Sequence, residues 1–545
     1  MVAFARLRSD LARCLMAAVL GTSIALVLRS FSTLEPLDLS LYDWLVRARA
    51  SAFVVDEKPP IVMIKVKQGR QGQSLTDQEL AQALEALAAL KPRVVGIDIL
   101  RDQAAAAENG AHQPMNQGRE RLEKILSAHP EMVGPLVFSQ SATGGRVLPP
   151  DPLLISQRYG FIDTTLDPSS SAARRGMLRL EEEIHANSFD LELARRYLGL
   201  QDFSIVDGLQ DGPLGLLCVK FGAGVIPLLD RNSGGYIGAE VSGAQYLLDY
   251  RENRGFDSVP LEMLLQRTGD ARAVRDRIAI IGYADRTEDS FRTPLTPGKG
   301  KDDWMPGIEL HAHAISQLLR TYEGNSAGIY GVPGWFTMVV TFSSALIVSL
   351  FVVRCHHVRS HIRSSVAFLA VLVLIWCAAL LAGWWFAVAA PVIACICSAA
   401  VVASTPVRRR IFLSYAREDG TRVREIYDRL RAMGYDPWMD RSQLVPGELW
   451  ELTIRKEIHN ADVFLACLSD KAVAKEGILR KEMQEALDTW NERLAAGFCI
   501  IPVRIEECKV PRELAHLQWV DLFSDNGWAN LRSALRARST TRKDD

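Results

Sequence analysis

Three long uncharged apolar segments between residues 335 and 403 constrain this chain more than any other feature. The segments 335–353 and 365–383 contain no charged side chain, and 386–403 is interrupted only by Pro391. A helix needs about 20 apolar residues to cross the hydrocarbon core of a bilayer. We therefore predict three membrane-spanning helices at these positions.

A shorter apolar run, CLMAAVLGTSIALVL, occupies residues 14–28. It reaches spanning length if Arg13 extends its guanidinium to the interface. A basic start followed by an apolar run is also typical of a cleaved signal peptide. Because the following RSFSTLEP lacks a clean small-x-small cleavage site, we favour an uncleaved anchor, which makes four crossings.

The flanks of these runs indicate their orientation. Arginines lie on one side, at Arg354, Arg359, Arg363, Arg408, Arg409 and Arg410. Tryptophans lie on the other, at Trp335, Trp384 and Trp385. Cytoplasmic flanks carry the excess of basic residues, and aromatic residues mark membrane interfaces. We therefore predict a multi-pass protein of the cell inner (plasma) membrane, with residues 32–332 outside and both ends in the cytoplasm.

Charge and cysteine content exclude two classes of protein. Lys plus Arg number 63 against 64 Asp plus Glu, and no long basic block is present, so nucleic-acid binding is not expected. The nine cysteines lack the paired close spacing of a zinc site, and Cys218 is the only one in the outer segment. The sequence therefore predicts neither a metal site nor a disulfide framework.

The outer segment alternates between strand and helix patterns. IVMIKV, a helix-period stretch at 77–90 and RVVGIDIL form a strand, helix, strand unit, and RIAIIGYADRTEDSF followed by PGIELHAHAISQLL repeats the pattern. ENGAHQPMNQGRE and DPSSSAARRG are predicted as loops. With LYDWLVRARA, these blocks resemble the CHASE2 family over about 35–330, most firmly at 278–319. The resemblance implies an α/β extracytoplasmic sensor, preceded by one transmembrane helix and followed by three, with an unknown ligand.

Four polar residues of this segment are candidate ligand or metal residues. Asp98 and Asp289 lie at predicted strand ends, where parallel sheets bind ligands; the alternative is that both carboxylates are simply solvated. His311 and His313 are two positions apart on a predicted helix and do not share a face. We therefore do not expect them to bind a metal together.

Residues 408–538 show the pattern of a second α/β domain. Apolar strand-like runs, RIFLSY, VFLACLS and CIIPVRI, are separated by predicted helices at 419–433, 449–460 and 478–490. This order predicts a doubly wound parallel sheet. The tail from Asp521, ending in TTRKDD, is expected to fray, with 539–545 disordered.

Four ordered blocks of this domain resemble a bacterial TIR domain. They are FLSYARED, DPWMDRSQLVPGELW, ADVFLACLSDKAVAKEGILRKEMQEAL and IIPVRIEECKVPREL. The resemblance implies a flavodoxin-like fold and one of two activities. TIR domains act either as self-associating adaptors or as enzymes that cleave the nicotinamide–ribose bond of NAD+, and assembly of the enzymes implies a homo-oligomer.

The resemblance aligns the family's catalytic glutamate with Glu482. Cleavage passes through a ribosyl cation, which requires a carboxylate beside the sugar in a partly dry cleft. At about 100° per residue, Glu482 lies inside the apolar arc of its predicted helix. That arc comprises Ile478, Leu479, Met483, Ala486 and Leu487. A carboxylate there is costly unless it is paired or lines a cleft. The alternative is a glutamate at the edge of the apolar stripe that reaches water, or one favoured by the helix dipole.

The other half of the predicted NAD+ site comes from the loop after the first strand of this domain. That loop comprises Ser414, Tyr415, Ala416 and Arg417, and it leaves the carboxyl end of the strand, where open α/β sheets bind nucleotides. Arg417 is a candidate phosphate ligand or a solvated side chain. Trp438, ahead of the Pro446–Gly447 loop, is a candidate adenine platform or a core residue.

Together these features predict a multi-domain membrane receptor. Its parts are a tail and first helix at 1–31, a sensor at 32–332, three helices within 333–407, a TIR-like domain at 408–538 and a tail at 539–545. The sensor would control hydrolysis of NAD+ to nicotinamide and ADP-ribose or its cyclic form, with NAD+ as substrate and no further cofactor. The alternative is a TIR scaffold that signals by self-association and partner recruitment, without turnover.

Overall fold

The computed structural model describes residues 2–540 except 53–56, 68–73, 102–113, 139–146, 181–185, 201–202, 252–254, 267–272, 286–288, 297–299, 301–302, 326–327, 355–357, 405–408, 440–449, 475–477 and 493–498. The chain divides into two compact units. One comprises Thr22–Ser344 and Leu369–Ala394, and the other comprises Met1–Gly21, Ala345–Phe368 and Cys395–Asp545.

The part of the chain up to residue 404 contains the predicted sensor and the apolar helices. The helices are α1 Val2–Ser30, α2 Glu35–Ala52, α3 Asp77–Ala89, α4 Pro114–Ala128, α5 Asp151–Ile155, α6 Phe189–Leu198, α7 Leu261–Leu265, α8 Gly307–Tyr322, α9 Gly334–Arg354, α10 Val358–Leu381 and α11 Ala389–Ser404. The strands are β1 Ile61–Val66, β2 Val94–Asp98, β3 Met132–Leu136, β4 Tyr159–Phe161, β5 Arg175–Met177, β6 Leu209–Asp211, β7 Leu217–Phe221, β8 Gly224–Pro227, β9 Gln245–Leu247, β10 Asp257–Pro260, β11 Ile278–Tyr283, β12 Ser290–Phe291, β13 Met305–Pro306, β14 Tyr330–Gly331 and β15 Trp384–Trp385.

A six-stranded parallel sheet forms the centre of the unit that comprises Thr22–Ser344 and Leu369–Ala394, which we call the sensor unit. Its strand order is β10-β1-β11-β2-β3-β4. Strands β1, β2 and β11 are buried along almost their whole length, because helices cover both faces of a parallel sheet. The predicted strand IVMIKV is β1 with the same bounds. Helix α8 is buried over nearly all its residues.

The loop prediction was wrong for the first of these two sensor segments and correct for most of the second, in which only residues 175 and 176 belong to a strand. The first becomes helix α4 from Pro114 onward, and its residues 108–113 lie outside the described residues. The second contains the fully buried Asp167, which accepts hydrogen bonds from Arg174 at 2.7 Å, Arg175 at 3.0 Å and the Tyr236 hydroxyl at 2.9 Å. Burial of this charge is compensated by its three donors, a pairing that local polarity does not reveal.

Helix α2 binds the ends of two apolar helices. The Asp38 carboxylate accepts hydrogen bonds from the backbone N–H groups of Val388 and Ala389 at 2.9 and 3.0 Å, and so caps the start of α11. The Arg49 guanidinium donates to the last two carbonyl oxygens of α10, at 2.6 and 2.8 Å. Asp43, between them, forms a bidentate pair with Arg174 at 2.7 Å for both contacts. One helix therefore joins the α/β domain to both apolar helices.

Within the described residues, two apolar helices are long enough to cross a bilayer, at Leu11–Ser30 and Gly334–Val353. The apolar parts of α10 and α11 are shorter, at Val366–Leu381 and Ala389–Ser404. The predicted helix at 386–403 begins three residues late, because β15 pairs with β14 just before it and Asp38 caps its start. Four crossings remain a prediction.

The second α/β domain contains five strands and five helices among its described residues. The strands are β16 Arg410–Ser414, β17 Asp436–Trp438, β18 Val463–Leu468, β19 Cys499–Arg504 and β20 Val520–Asp521, and the helices are α12 Gly420–Ala432, α13 Trp450–Asn460, α14 Asp470–Ala474, α15 Ile478–Glu492 and α16 Gly527–Thr540. All pairings are parallel, in the order β17-β16-β18-β19-β20. This is the flavodoxin-like order 2-1-3-4-5, which confirms the doubly wound parallel sheet predicted from the sequence.

The expected fraying of the tail from Asp521 was wrong for most of its length. Helix α16 extends to Thr540, and its Leu531 and Leu535 are buried in the core beside Ile411 and Val423. Apolar residues four positions apart share a helix face, which explains why this segment packs. Residues 541–545 lie outside the described residues.

Replacing Arg49 by Met should destabilise the sensor unit by about 3 kcal/mol, because the change removes two hydrogen bonds to α10 carbonyl groups and one of the two arginines that pair with the buried Asp249. Arg49 and Asp249 are 3% and 1% exposed, with 3.2 Å between Nε and Oδ1. The measurement is thermal unfolding of the detergent-solubilised chain. Arg47→Met on the same helix is the control, since Arg47 is half-buried and makes one hydrogen bond, to the Pro294 carbonyl. Equal losses in both variants would contradict the role assigned to Arg49.

Candidate functional site

The carboxyl ends of β16 and β18 form the point where the strand order of the second sheet reverses. β16 carries strand β17 on one side and β18 on the other, with Ser414 paired in register with Ala466. Open α/β sheets bind ligands in the crevice outside such a switch point. The loops that follow these two strands are therefore the candidate site.

A hydrogen bond joins two of the predicted site residues at this edge. The Ser414 hydroxyl donates to Oε2 of Glu482 across 2.7 Å. Ser414 is 1% exposed and Glu482 is 9% exposed. Because both groups are buried, this hydrogen bond fixes the position of the Glu482 carboxyl group.

Strand alternation explains why Ser414 meets helix α15. Side chains two apart on a strand point to the same face, so Ser414 shares a face with Phe412. That face packs against α15 through Met483 and Ala486, whereas the alternate residues of β16 pack against α12 and α16. Glu482, beside Met483, is thereby held over the end of β16.

The structure confirms that Glu482 lies on the packed side of its helix. Gln484 and Asp488 are exposed. Glu485 is half-buried and contacts Arg455 at 3.2 Å and His459 at 3.1 Å on helix α13. The backbone of residues 478–481 is helical, but their side chains lie outside the described residues.

The remaining residues of the predicted loop lie in different environments. Ala416 is buried, Tyr415 is half-buried and Arg417 is exposed. Arg417 begins a short 3-10 turn, in which the Asp419 N–H donates to the Ala416 carbonyl at 2.9 Å. An exposed guanidinium at the carboxyl edge fits either alternative for Arg417, phosphate contact or solvation.

Sequence reasoning missed a second polar pair at the switch point. The Ser469 hydroxyl donates to the Asp419 carboxylate across 2.5 Å and also caps helix α14 through the Ala472 N–H. Both partners are buried, and they connect the loops after β16 and β18. Burial, reinforced by the Asp419 charge, raises the pKa of Cys467 to about 12, so this thiol is protonated at neutral pH. The available signal was that Ser469 and Asp419 each follow a buried strand.

Trp438 stacks on the aromatic core beneath the site. Its ring lies 4.9 Å from that of Phe412 at 19°, and Phe412 stacks in turn on Phe464 at 5.4 Å. Trp438 is half-buried, so it packs against the core with one side while part of its surface stays accessible. The Pro446–Gly447 loop lies outside the described residues.

Two of the sensor candidates, His311 and Asp98, lie in a buried cluster with Asp190. His311 Nδ1 lies 2.7 Å from Asp190 Oδ1, and its Nε2 lies 4.0 Å from Asp98 Oδ1. Asp98 is the last residue of β2, and its Oδ2 has no hydrogen-bond partner among the described residues. Burial lowers the pKa of His311, but Asp190, Asp98 and Asp289 outweigh it and raise the value to about 9. The sequence suggested solvated carboxylates, and Asp98 is instead buried.

His313 lies in a different environment, as the two-residue spacing predicts. Its ring packs edge-on against Tyr250 and Phe256 at 5.2 and 5.0 Å. Burial, with a smaller contribution from Arg320, lowers the pKa of His313 to about 3, so the ring is neutral. Across the described residues, no cluster of three or more His, Cys, Asp or Glu side chains is arranged to hold a metal ion.

Comparison with known proteins identifies both halves of the chain. The family model of the CHASE2 domain matches residues 17–353, and that of the TIR domain matches residues 411–535. Both matches confirm the resemblances seen in the sequence. No curated protein matches the chain. Among solved structures, the TIR domain of the Toll-related receptor TRR-2 from Hydra magnipapillata is 24% identical, with 23% of this chain and 97% of that chain covered and a TM-score of 0.20.

The protonated His311 should make sensor stability depend on pH. A histidine whose pKa is raised from 6.5 to about 9 on folding stabilises the fold fully below about 6.5, and this contribution disappears as the pH rises through about 9. We expect a loss of about 3 kcal/mol across that interval. Thermal unfolding of the chain at graded pH measures it, and His311→Gln should flatten the profile.

His129→Gln is the matched control, because the His129 side chain is 35% exposed and pairs with Glu131 at the surface. It should leave the wild-type slope intact. A wild-type slope that survives in His311→Gln would contradict the assignment.

Proposed function

The chain belongs to the CHASE2 family and carries a TIR domain, and from this premise we propose that it is a transmembrane signalling receptor whose extracytoplasmic sensor controls NAD+ hydrolysis by the TIR domain. A sensor joined to a TIR domain supports signalling in general. The specific reaction is supported by the geometry at the switch point of the second sheet.

The observation that carries the proposal is the buried contact between Ser414 and Glu482. A carboxylate removed from water, and held by a hydroxyl at a ligand-binding sheet edge, is what a ribosyl cation needs beside it. The burial of Glu482 and its serine partner support this role over that of a group reaching bulk water.

In the proposed reaction, the bond between ribose C1 and the nicotinamide nitrogen breaks, and its electron pair leaves with neutral nicotinamide. Glu482 stabilises the positive charge that develops on the ribose. A water oxygen then bonds to C1 and releases a proton, which gives ADP-ribose. Attack by an adenine nitrogen of the same molecule in place of water gives the cyclic product.

NAD+ binding is assigned to the loop after β16. Tyr415, Ala416 and the exposed Arg417 follow the strand at its carboxyl end, where a pyrophosphate can meet the guanidinium. Trp438 offers the accessible part of its ring to the adenine. Its stacking on Phe412 holds the ring in a fixed orientation, which favours this use.

Control of NAD+ turnover by the sensor requires that the chain cross the bilayer. We assign crossings to α1, α9, α10 and α11, with residues 32–332 outside and residues 408–538 in the cytoplasm. The lengths of α1 and α9 support the first two crossings, and the arginine and tryptophan flanks support the orientation. Sensor occupancy would then control the self-association of TIR domains in a homo-oligomer, and through it NAD+ turnover.

Replacing Glu482 by Gln should lower NAD+ turnover by at least about 100-fold, because the side chain loses its charge at nearly constant volume. Nicotinamide release by the full chain in detergent or lipid is the measurement. Glu485→Gln is the matched control: it removes a carboxylate from the same helix that contacts Arg455 and His459, and it should retain turnover within about threefold.

The same assay tests the alternative. If the wild-type chain releases no nicotinamide, even when its TIR domains are clustered, the scaffold without turnover is the better description. If the chain is active but Glu482→Gln retains full turnover, the enzyme stands and the residue assignment is wrong.

Replacing Ser414 by Ala should lower kcat about tenfold with little change in KM, because Glu482 loses one charge-assisted hydrogen bond while the substrate contacts remain. Steady-state kinetics of nicotinamide release separate the two constants. A rise in KM at constant kcat would show that Ser414 contacts the substrate directly instead of positioning Glu482.

A further inference from the structure

The sensor unit contains a large cavity that lies apart from the His311 cluster. Its volume is about 760 Å³, within the range of about 300–1,000 Å³ typical of small-molecule sites. Three segments supply most of the lining: the turn after α6, the start of β7 and the residues after β8. A cavity of this size is a candidate site for a small molecule.

The walls define what that occupant can be. Branched aliphatic side chains predominate, including Ile205, Leu216 and Leu228, and no described aromatic side chain contributes. Val206 and Leu217 at the cavity are 58% and 47% exposed, so apolar surface faces solvent there. Sugars and nucleotides would find neither stacking partners nor an array of hydrogen-bonding groups. Alkyl groups fit this lining.

Two charged residues complete the lining, Arg179 and Asp230. The Asp230 carboxylate accepts a hydrogen bond from the Arg231 N–H, and the Asp230 backbone N–H donates to the Ser233 hydroxyl. Asp230 therefore stabilises the turn in which it lies. Arg179 is half-buried, and its guanidinium has no hydrogen-bond or ion-pair partner in the described part of the chain. A half-buried guanidinium without a partner favours an anionic ligand group, and a carboxylate fits it in bidentate geometry.

The cavity is continuous with the start of helix α9. Pro333, which precedes that helix, contributes to the lining. The wall after β8 is bound to the same segment, because the Gly234 N–H donates to the Val332 carbonyl at 2.8 Å. In the proposed topology α9 begins at the membrane interface, so an amphiphile dissolved there would reach this position. A bound ligand would also contact the residues that begin the helix.

We propose that this cavity binds a single-chain amphiphile with a carboxylate head, whose alkyl chain occupies the aliphatic walls and whose head pairs with Arg179. The inference gives a ligand class to the sensor of the proposed receptor. Binding is measured without NAD+, so its failure leaves the hydrolase proposal intact, and the reverse also holds.

The test uses the full chain in nanodiscs of zwitterionic phospholipid, with two fluorescent probes: a long-chain fatty acid and the alcohol of the same chain. The wild-type chain should bind the acid saturably. Arg179→Gln should weaken binding of the acid about tenfold and leave the alcohol unchanged. Arg231→Gln, in the loop after β8, is the charge-matched control and should bind the acid as the wild type does.

A filled cavity should exclude both probes. Ala244 lines the cavity and is half-buried, so Ala244→Phe should weaken the binding of both probes at least about tenfold. If the Ala244→Phe variant does not fold, Val206→Trp, at an exposed position of the lining, is used in its place. Probe signal that is equal in wild type and filled variant reports partition into lipid and overturns the proposal. Occupancy by phospholipid, which would block the acid in the wild type, overturns it too, as does an Arg179→Gln chain that retains wild-type affinity for the acid.

Discussion

A carboxylate buried at the edge of an open parallel sheet needs donors, and this requirement organises the TIR domain. Ser414 provides one at 2.7 Å from Glu482. It does so because alternation along β16 keeps Phe412 in the core and therefore turns Ser414 toward the same helix. A shift of one residue in the strand register would turn the serine away and place an apolar neighbour beside the charge. Core packing and the candidate chemistry are thus parts of one arrangement.

The sensor also buries carboxylates that depend on hydrogen-bond donors, and it does so with more charged side chains. Asp167 is fully buried among Arg174, Arg175 and a tyrosine hydroxyl, and His311 lies between Asp190 and Asp98. Buried polar networks are most stable when every member has a partner, as in the Asp167 network. They therefore favour a few discrete arrangements over gradual deformation, which suits a domain that has to report one of two states.

Periodicity predicted the elements of both domains but not the contacts between distant residues. The strands β1 and β18, and the inward orientation of Glu482, follow from apolar runs and from helix geometry. The pair of Asp419 and Ser469 spans 50 positions, and the capping of α11 by Asp38 spans 350 or more. Local patterns hold no information on such partners. The composition of DPSSSAARRG likewise indicated a loop and gave no sign that its two arginines, Arg174 and Arg175, pair with the buried Asp167.

Helix α2 limits how the two apolar helices α10 and α11 can move. Asp38 and Arg49 are about three helical turns apart, roughly 16 Å along one face of α2. Each forms hydrogen bonds to the backbone at the end of a different helix, Asp38 to α11 and Arg49 to α10. Two separated attachment points suppress independent sliding or twisting of α10 and α11. A tilt of α2 would therefore displace the attached ends of α10 and α11 together, as one pair.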